Sequence, residues 1–287
     1  MKGCFSAGPG LFLALFDLLD LVFPGIRQGA EGIRALGVSW ESASTPFVRW
    51  EDGRIVSHVG VIPLPLVVMG RRVAAATLHA VATHPDYRRQ GCFRQVMEEA
   101  LAYCAGRYET LVLTTEQPEY YTAFGFRHAP EHRFTVRGGA PGGAGARRLD
   151  LGNAADLALT HRLLAEREPV SQVVGVAGEK TIFLFNEGRR PLYYVASLDA
   201  LLCLEREGER LRLYDMVAPR MPPLDALLAR LPWPVAEVDV CFSPDRLAVE
   251  AEAAPYLLDH DGPSYLMVRG PFAAEGLPFT LPRSART

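Results

Sequence analysis

Val81-Ala82-Thr83-His84-Pro85-Asp86-Tyr87-Arg88-Arg89-Gln90-Gly91-Cys92-Phe93-Arg94 reads as a strand, a tight basic loop and the opening turn of a helix. After Gly91 the apolar period changes. Phe93, Val96, Met97, Ala100, Leu101 and Cys104 recur at helical spacing, with Arg94, Gln95, Glu98 and Glu99 opposite them, so an amphipathic helix runs from here toward Gly106. The first turn of a helix carries N–H groups without partners and the positive end of the dipole. A glycine just before it lets the backbone approach a phosphate closely. With Arg88, Arg89 and Arg94 around it, the segment is a candidate anion cradle. A solvated helix start flanked by arginines is the plainer reading of the same residues.

Upstream, Phe47-Val48-Arg49-Trp50 leads into Asp52-Gly53, a hairpin signal. Arg54 to Met69 then reads as a long strand bent or edged at Pro63 and Pro65, and Val73 to Thr83 returns after a turn at Gly70-Arg71. Three antiparallel strands in a meander are expected. Downstream, Thr110 to Thr114 reads as a buried strand, Glu119 to Phe124 as a short helix closed by Gly125, and Arg133 to Arg137 as a further strand.

The cradle segment resembles the acyl-CoA-binding motif of the GCN5-related N-acetyltransferase (GNAT) superfamily, Gln/Arg-x-x-Gly-x-Gly/Ala after a strand. Arg88 and Gly91 match it, and Phe93 stands where a second small residue is usual. Tyr120-Tyr121-Thr122-Ala123-Phe124-Gly125-Phe126 is similar to the superfamily's second signature, an aromatic short helix ending in Gly-aromatic. The resemblance covers roughly residues 45–137. It implies acetyl-CoA as co-substrate, with the backbone of Val81, Ala82 and Thr83 bonding the pantetheine arm. The pyrophosphate would lie on the loop of Arg88, Arg89, Gln90, Gly91, Cys92, Phe93 and Arg94. An amine would attack the thioester directly, so an ammonium must lose a proton and a departing thiolate must gain one.

For the thiolate, the resemblance points to Tyr121 as general acid, with a packed core aromatic as the alternative. For the ammonium, many members carry a glutamate four residues before the position of Thr83, and here that residue is His79. A structural histidine, Glu116 as base, or a water chain with positioning alone are the competing readings. His84 precedes Pro85 and shapes the turn. Cys92 as a ping-pong nucleophile lacks an assignable His/Asp partner set.

Gly138-Gly139-Ala140-Pro141-Gly142-Gly143-Ala144-Gly145 is low in complexity and reads as a linker. With 287 residues, about twice a usual domain, three segments are expected: an acetyltransferase domain at 1–137, a linker at 138–146 and a second domain at 147–287. In the second half, Leu149–Leu151, Leu192–Ala196, Leu201–Arg206, Leu211–Val217, Val235–Phe242 and Ser264–Val268 read as strands, and Ala154–Glu166 and Leu224–Leu231 as helices. That order echoes the first half. Its loop after Val217, Ala218-Pro219-Arg220-Met221-Pro222-Pro223, lacks glycine and has three prolines, which remove N–H groups a phosphate needs. The fold class expected is α/β: two GNAT-like domains, each a mixed, mainly antiparallel sheet flanked by helices, the second degenerate.

Such a tandem is similar to the Eis-like acetyltransferases, which add a sterol-carrier-like domain and use a terminal carboxylate in the site. The chain is short for that arrangement, so that role is not carried over to Thr287. The net charge of -3 offers no duplex-binding surface, so nucleic acid is not an expected partner. The acceptor is a small-molecule or peptide amine, and a homo-oligomer stays open. Cys4, Cys92, Cys104, Cys203 and Cys241 lack CxxC spacing, which suggests a reducing, cytoplasmic setting and no metal. The apolar run Leu11–Phe23 is broken by Asp17 and Asp20 and reads as a buried helix rather than a signal peptide, a membrane span or a surface anchor. The alternative in another class is an inactive CoA-binding or interaction module.

Overall fold

Asp52 and Gly53 both adopt left-handed φ, 49° and 75°, the pairing that closes a tight hairpin. In the computed structural model, which describes residues 10–140, 142–259 and 263–287, this turn joins the strands Thr45–Glu51 and Arg54–Pro63. Ala75–Thr83 completes the meander. The long strand expected to Met69 ends at Pro63. Leu66–Val68 instead leaves for a small sheet with Arg71–Val73 and Val174–Val176, because prolines cannot donate to a ladder.

The helix Cys92–Cys104 crosses over and brings Thr110–Thr115 parallel to Ala75–Thr83. Val96, Met97, Ala100 and Cys104 pack on Val59, Val61, Leu78 and Leu113. The helix Gly10–Val22 covers the opposite face with Leu15, Phe16 and Leu19 against Val48, Ile55 and Ala82. Each such aliphatic burial stabilises by roughly 1.5–3 kcal/mol. The two acids that break its apolar run are used locally: Asp17 pairs with Arg27 at 2.6 Å, and Asp20 accepts from the Gly25 N–H at 3.0 Å. Among the described residues no helix is long and apolar enough to cross a membrane.

The second sheet runs Glu252–Tyr256, Glu131–Ala140, Val235–Val240, Arg210–Val217, Ala200–Glu207, Leu192–Val195, Ala146–Arg148. Its parallel pair, Arg210–Val217 with Val235–Val240, is bridged by the short helix Leu224–Leu228. Both sheets are therefore mixed, mainly antiparallel and flanked by helices. Each also takes the strand beyond its parallel pair from the other half. Pro263–Arg269 lies against Thr110–Thr115, and Glu131–Ala140 lies against Val235–Val240.

That exchange corrects the expected division at 137/147. Gly138–Ala140 belong to a strand of the second sheet, and Ala146 opens its edge strand; Pro141 lies outside the described residues. The glycines serve close approach. A Cβ on Gly139 would lie 1.4 Å from the Val235 carbonyl oxygen, and one on Gly143 2.0 Å from that of Ala229. The strand expected at Leu149–Leu151 is a turn, its place taken by Ala146–Arg148. Cys92, Cys104, Cys203 and Cys241 are buried free thiols; Cys4 lies outside the described residues.

The last residues form a buried strap between the sheets. Leu281 N donates to Glu131 Oε1 at 2.8 Å, and Arg283 makes two 2.9 Å bonds to Glu187 and one of 2.8 Å to Glu205. Ser284 donates to Asp215, which Arg167 also holds at 3.0 Å, and Arg286 reaches Glu131.

Candidate active site

The loop after Thr83 is built by its own residues. His84 Nδ1 accepts from the Asp86 N–H at 3.3 Å and starts the turn Pro85–Tyr87, as its place before a proline suggested. Gln90 Nε2 donates to the Asp86 carbonyl at 2.8 Å. Arg89 (φ 60°) and Gly91 (φ 81°) then turn the chain through left-handed conformations into the helix. The first helical bond is Gln95 N–H to the Gly91 carbonyl at 3.1 Å, and no side chain caps the end. The N–H groups of Cys92, Phe93 and Arg94 precede any intrahelical acceptor. Arg88, Arg89, Gln90, Gly91 and Arg94 are exposed around them, while Cys92 is buried. Phe93 does not fill the cradle, because its ring packs edge-on against Tyr121 at 6.0 Å and Phe124 at 5.4 Å.

Next to the cradle the sheet opens. The parallel ladder covers only Ala75↔Thr110, Ala76↔Leu111 and Thr77↔Val112, and past Thr77 the two strands part. Among the described residues, Val81, Ala82 and Thr83 therefore keep one edge without a parallel neighbour. Tyr121, in the helix Glu119–Thr122, is buried, whereas Tyr120 is 58% exposed; a helical step of about 100° separates them. Burial pushes the Tyr121 phenol up to about 12, and a hydrogen bond with the Thr115 side chain partly offsets the rise. It is protonated throughout the neutral range.

A family model described as Acetyltransferase (GNAT) domain matches residues 11–129. Over these residues the chain resembles the GNAT acetyltransferases. No curated protein matches the chain. A probable N-acyltransferase from Enterococcus faecalis V583 superposes with a TM-score of 0.61 at 16% identity, covering 94% of this chain and 71% of its own. A GCN5-related N-acetyltransferase from Anabaena variabilis gives 0.54 at 15% identity, covering 91% and 69%. A putative acetyltransferase from Pyrococcus horikoshii gives 0.53 at 11% identity, covering 99% and 94%. At these identities the likeness is one of fold, and it extends over both sheets.

Within this GNAT fold, the residues expected to handle the amine fall elsewhere. His79 is 3% exposed, with its Nε2 2.8 Å from Ser44 Oγ and its ring 4.8 Å from that of Trp40. Desolvation lowers its pKa well below the imidazole norm, helped by neighbouring His58. A neutral imidazole already engaged by Ser44 is a packed structural group and a poor base. Glu116 is exposed just past the strand Thr110–Thr115. The sequence reading overlooked Thr77 and Thr114. Thr287 lies where the strands part, its Oγ1 2.6 Å from Thr77 Oγ1, while Thr114 Oγ1 donates to its carbonyl. Thr287, to which no role was carried over from the resemblance, thus sits at the opening. Hydroxyls at Thr77 and Thr114, within mostly apolar strands, were the local signal for this cluster.

Proposed function

We propose that the chain transfers the acetyl group of acetyl-CoA to a primary amine by direct attack. The observation that carries this reading is a juxtaposition. An uncapped helix start after Gly91 meets the buried, protonated Tyr121 through Phe93, and the loop that leads into it follows directly on the open strand edge at Val81–Thr83. The pyrophosphate would accept from the N–H groups of residues 91–94, with Arg88, Arg89 and Arg94 neutralising charge. The pantetheine arm would lie along Val81–Thr83 as an added strand.

The amine nitrogen forms the amide bond to the thioester carbonyl carbon, the C–S bond breaks, and sulfur leaves with the electron pair. Tyr121 O–H donates to that sulfur. Full transfer from a phenol near 12 to a thiol of ordinary pKa about 8.5 runs uphill. The same desolvation that raises the phenol raises the thiol, and a directed hydrogen bond stabilises the developing charge before transfer completes. The ammonium proton leaves to water, since His79 is committed to Ser44. The acceptor is a small-molecule or peptide amine, its identity unspecified by the fold.

Calorimetric titration of the purified chain with acetyl-CoA tests this. One site per chain at micromolar affinity, lost in Gly91→Asp, is expected. Absence of binding up to millimolar acetyl-CoA overturns the transferase reading and leaves an interaction module.

A further inference from the structure

Ala80 has φ 47° in the middle of the strand Ala75–Thr83, a conformation costing an alanine roughly 1–2 kcal/mol. A register slip produces it. His58 pairs with Ala82 and Gly60 with His79, so Ala80 and Val81 together face Val59, which is a β-bulge. The bulge inverts the strand's phase. Ala76, Leu78 and Val81 face the helix Cys92–Cys104, while Ala80 and Ala82 face the N-terminal helix. Regular alternation would send Val81 to the other side. The inversion falls at the start of Val81–Thr83, the edge left open where the strands part.

His58 holds this bulge. Its Nδ1 lies 2.7 Å from the Ala80 carbonyl oxygen, and since a carbonyl only accepts, Nδ1 carries the proton. The residue is fully buried, and its Nε2 has no hydrogen-bond partner among the described residues. Leaving a buried acceptor unmatched costs roughly 1–3 kcal/mol, so stability alone does not explain a histidine here. His79 fixes the strand on the other side of the slip, where only a glycine fits opposite: a Cβ on Gly60 would sit 2.2 Å from His79 Nε2.

We infer that His58 is a positioning residue for acetyl-CoA, its Nδ1–H locking the Ala80 bulge and so the phase in which Val81–Thr83 offers its backbone to the pantetheine arm. This rests on the acetyl-CoA reading above. The test uses the full chain, with acetyl-CoA affinity by calorimetry and amide hydrogen exchange at residues 79–83. His58→Leu removes the donor, and His58→Asn keeps one near the same place. Loss of one hydrogen bond's worth of order predicts about tenfold weaker binding in His58→Leu and faster exchange confined to 79–83, with His58→Asn within about threefold of the parent on the same grounds.

Ala80→Gly removes the φ penalty, so His58→Leu in the Ala80→Gly background should recover most of the lost affinity. That pair also supplies the comparison if His58→Leu alone does not fold. Parental binding and exchange in His58→Leu overturn the lock, as does equal loss in the Leu and Asn variants, or failure of Ala80→Gly to rescue. A parent chain that does not bind acetyl-CoA overturns the acetyl-CoA reading itself, a result distinct from these.

Discussion

The two sheets share one plan and differ at one loop. In each, a strand, a crossover helix and a parallel strand are followed by a strand borrowed from the other half. After Thr83 the first sheet has a glycine-turned basic loop and a 13-residue helix whose first N–H groups are open. After Val217 the second has Ala218-Pro219-Arg220-Met221-Pro222-Pro223 and a helix of five residues. Met221 and Leu224 are buried in that half's core, so the loop that could have cradled an anion is used for packing. The strap treats the two sheets differently too. Ser284 bonds to the buried Asp215 of one, while Thr287 meets Thr77 where the other opens. Topology sets where a site can lie; the loop's N–H groups and charge decide whether one exists.

The comparison breaks most completely at Arg283, which ties the strap to the second half through Glu187 and Glu205 with its guanidinium 3.5 Å over the Tyr214 ring. Arg283→Met leaves Glu187 buried without its cation and should cost about 3–5 kcal/mol, read from the urea midpoint. An unchanged midpoint would mean that the strap does not hold the sheets together.

Acid should act next, through the buried histidines of the first sheet. Burial lowers His58 from 6.5 to about 4 in the fold, and lowers His79 in the same direction. A depressed folded pKa gives stability that is complete above the unfolded value and lost as pH falls. Stability should therefore decline between pH 6.5 and 4, by about 3 kcal/mol for His58. Thermal melts against pH would show it, and a chain with His58→Asn should melt with a flatter profile.

Tyr121→Phe should lower kcat about a hundredfold, the low end for a general acid, with acetyl-CoA affinity unchanged, whereas Tyr120→Phe should leave both rate and affinity at parental values. Because the Tyr121 phenol is held near 12, kcat should show no loss of the acid form through pH 10. A basic limb near neutrality that vanishes in Tyr121→Phe would contradict that protonation state. The smallest effect sharpens the contrast of the loops. Gly91→Ala forces a Cβ onto φ 81° at roughly 1–2 kcal/mol, or about tenfold in acetyl-CoA affinity. Pro219→Gly should leave the stoichiometry at one, and a second site there would show that the prolines are not what disables the second loop.

Much of this was legible locally. The change of period at Gly91, the Asp52-Gly53 hairpin and the helix Ala154–Glu166, whose expected and observed bounds coincide, each depend on neighbours within a few residues. Other features misled because the same residues serve two purposes. Glycines at 138–145 signal a flexible linker in isolation, yet here Gly139, Gly142 and Gly143 admit a neighbouring backbone. A histidine four residues before Thr83 suggests a base until Trp40 and Ser44 are seen to enclose it. The helix Thr181–Glu187 went unread because it is buried on most sides and has little amphipathic contrast.

By itself the amino-acid order determined most of the elements and the cradle, since helical period, turn chemistry and an uncapped glycine-led helix start are short-range properties. Only the tertiary structure decided which strands changed sheets, where Thr287 came to rest and that Ala80 is bulged under His58. Those outcomes depend on pairings between residues tens to hundreds of positions apart. A strand's own sequence specifies its two faces and leaves its neighbour open, so the choice falls to whichever arrangement buries the apolar faces and pairs Glu187, Asp215 and Glu131 together.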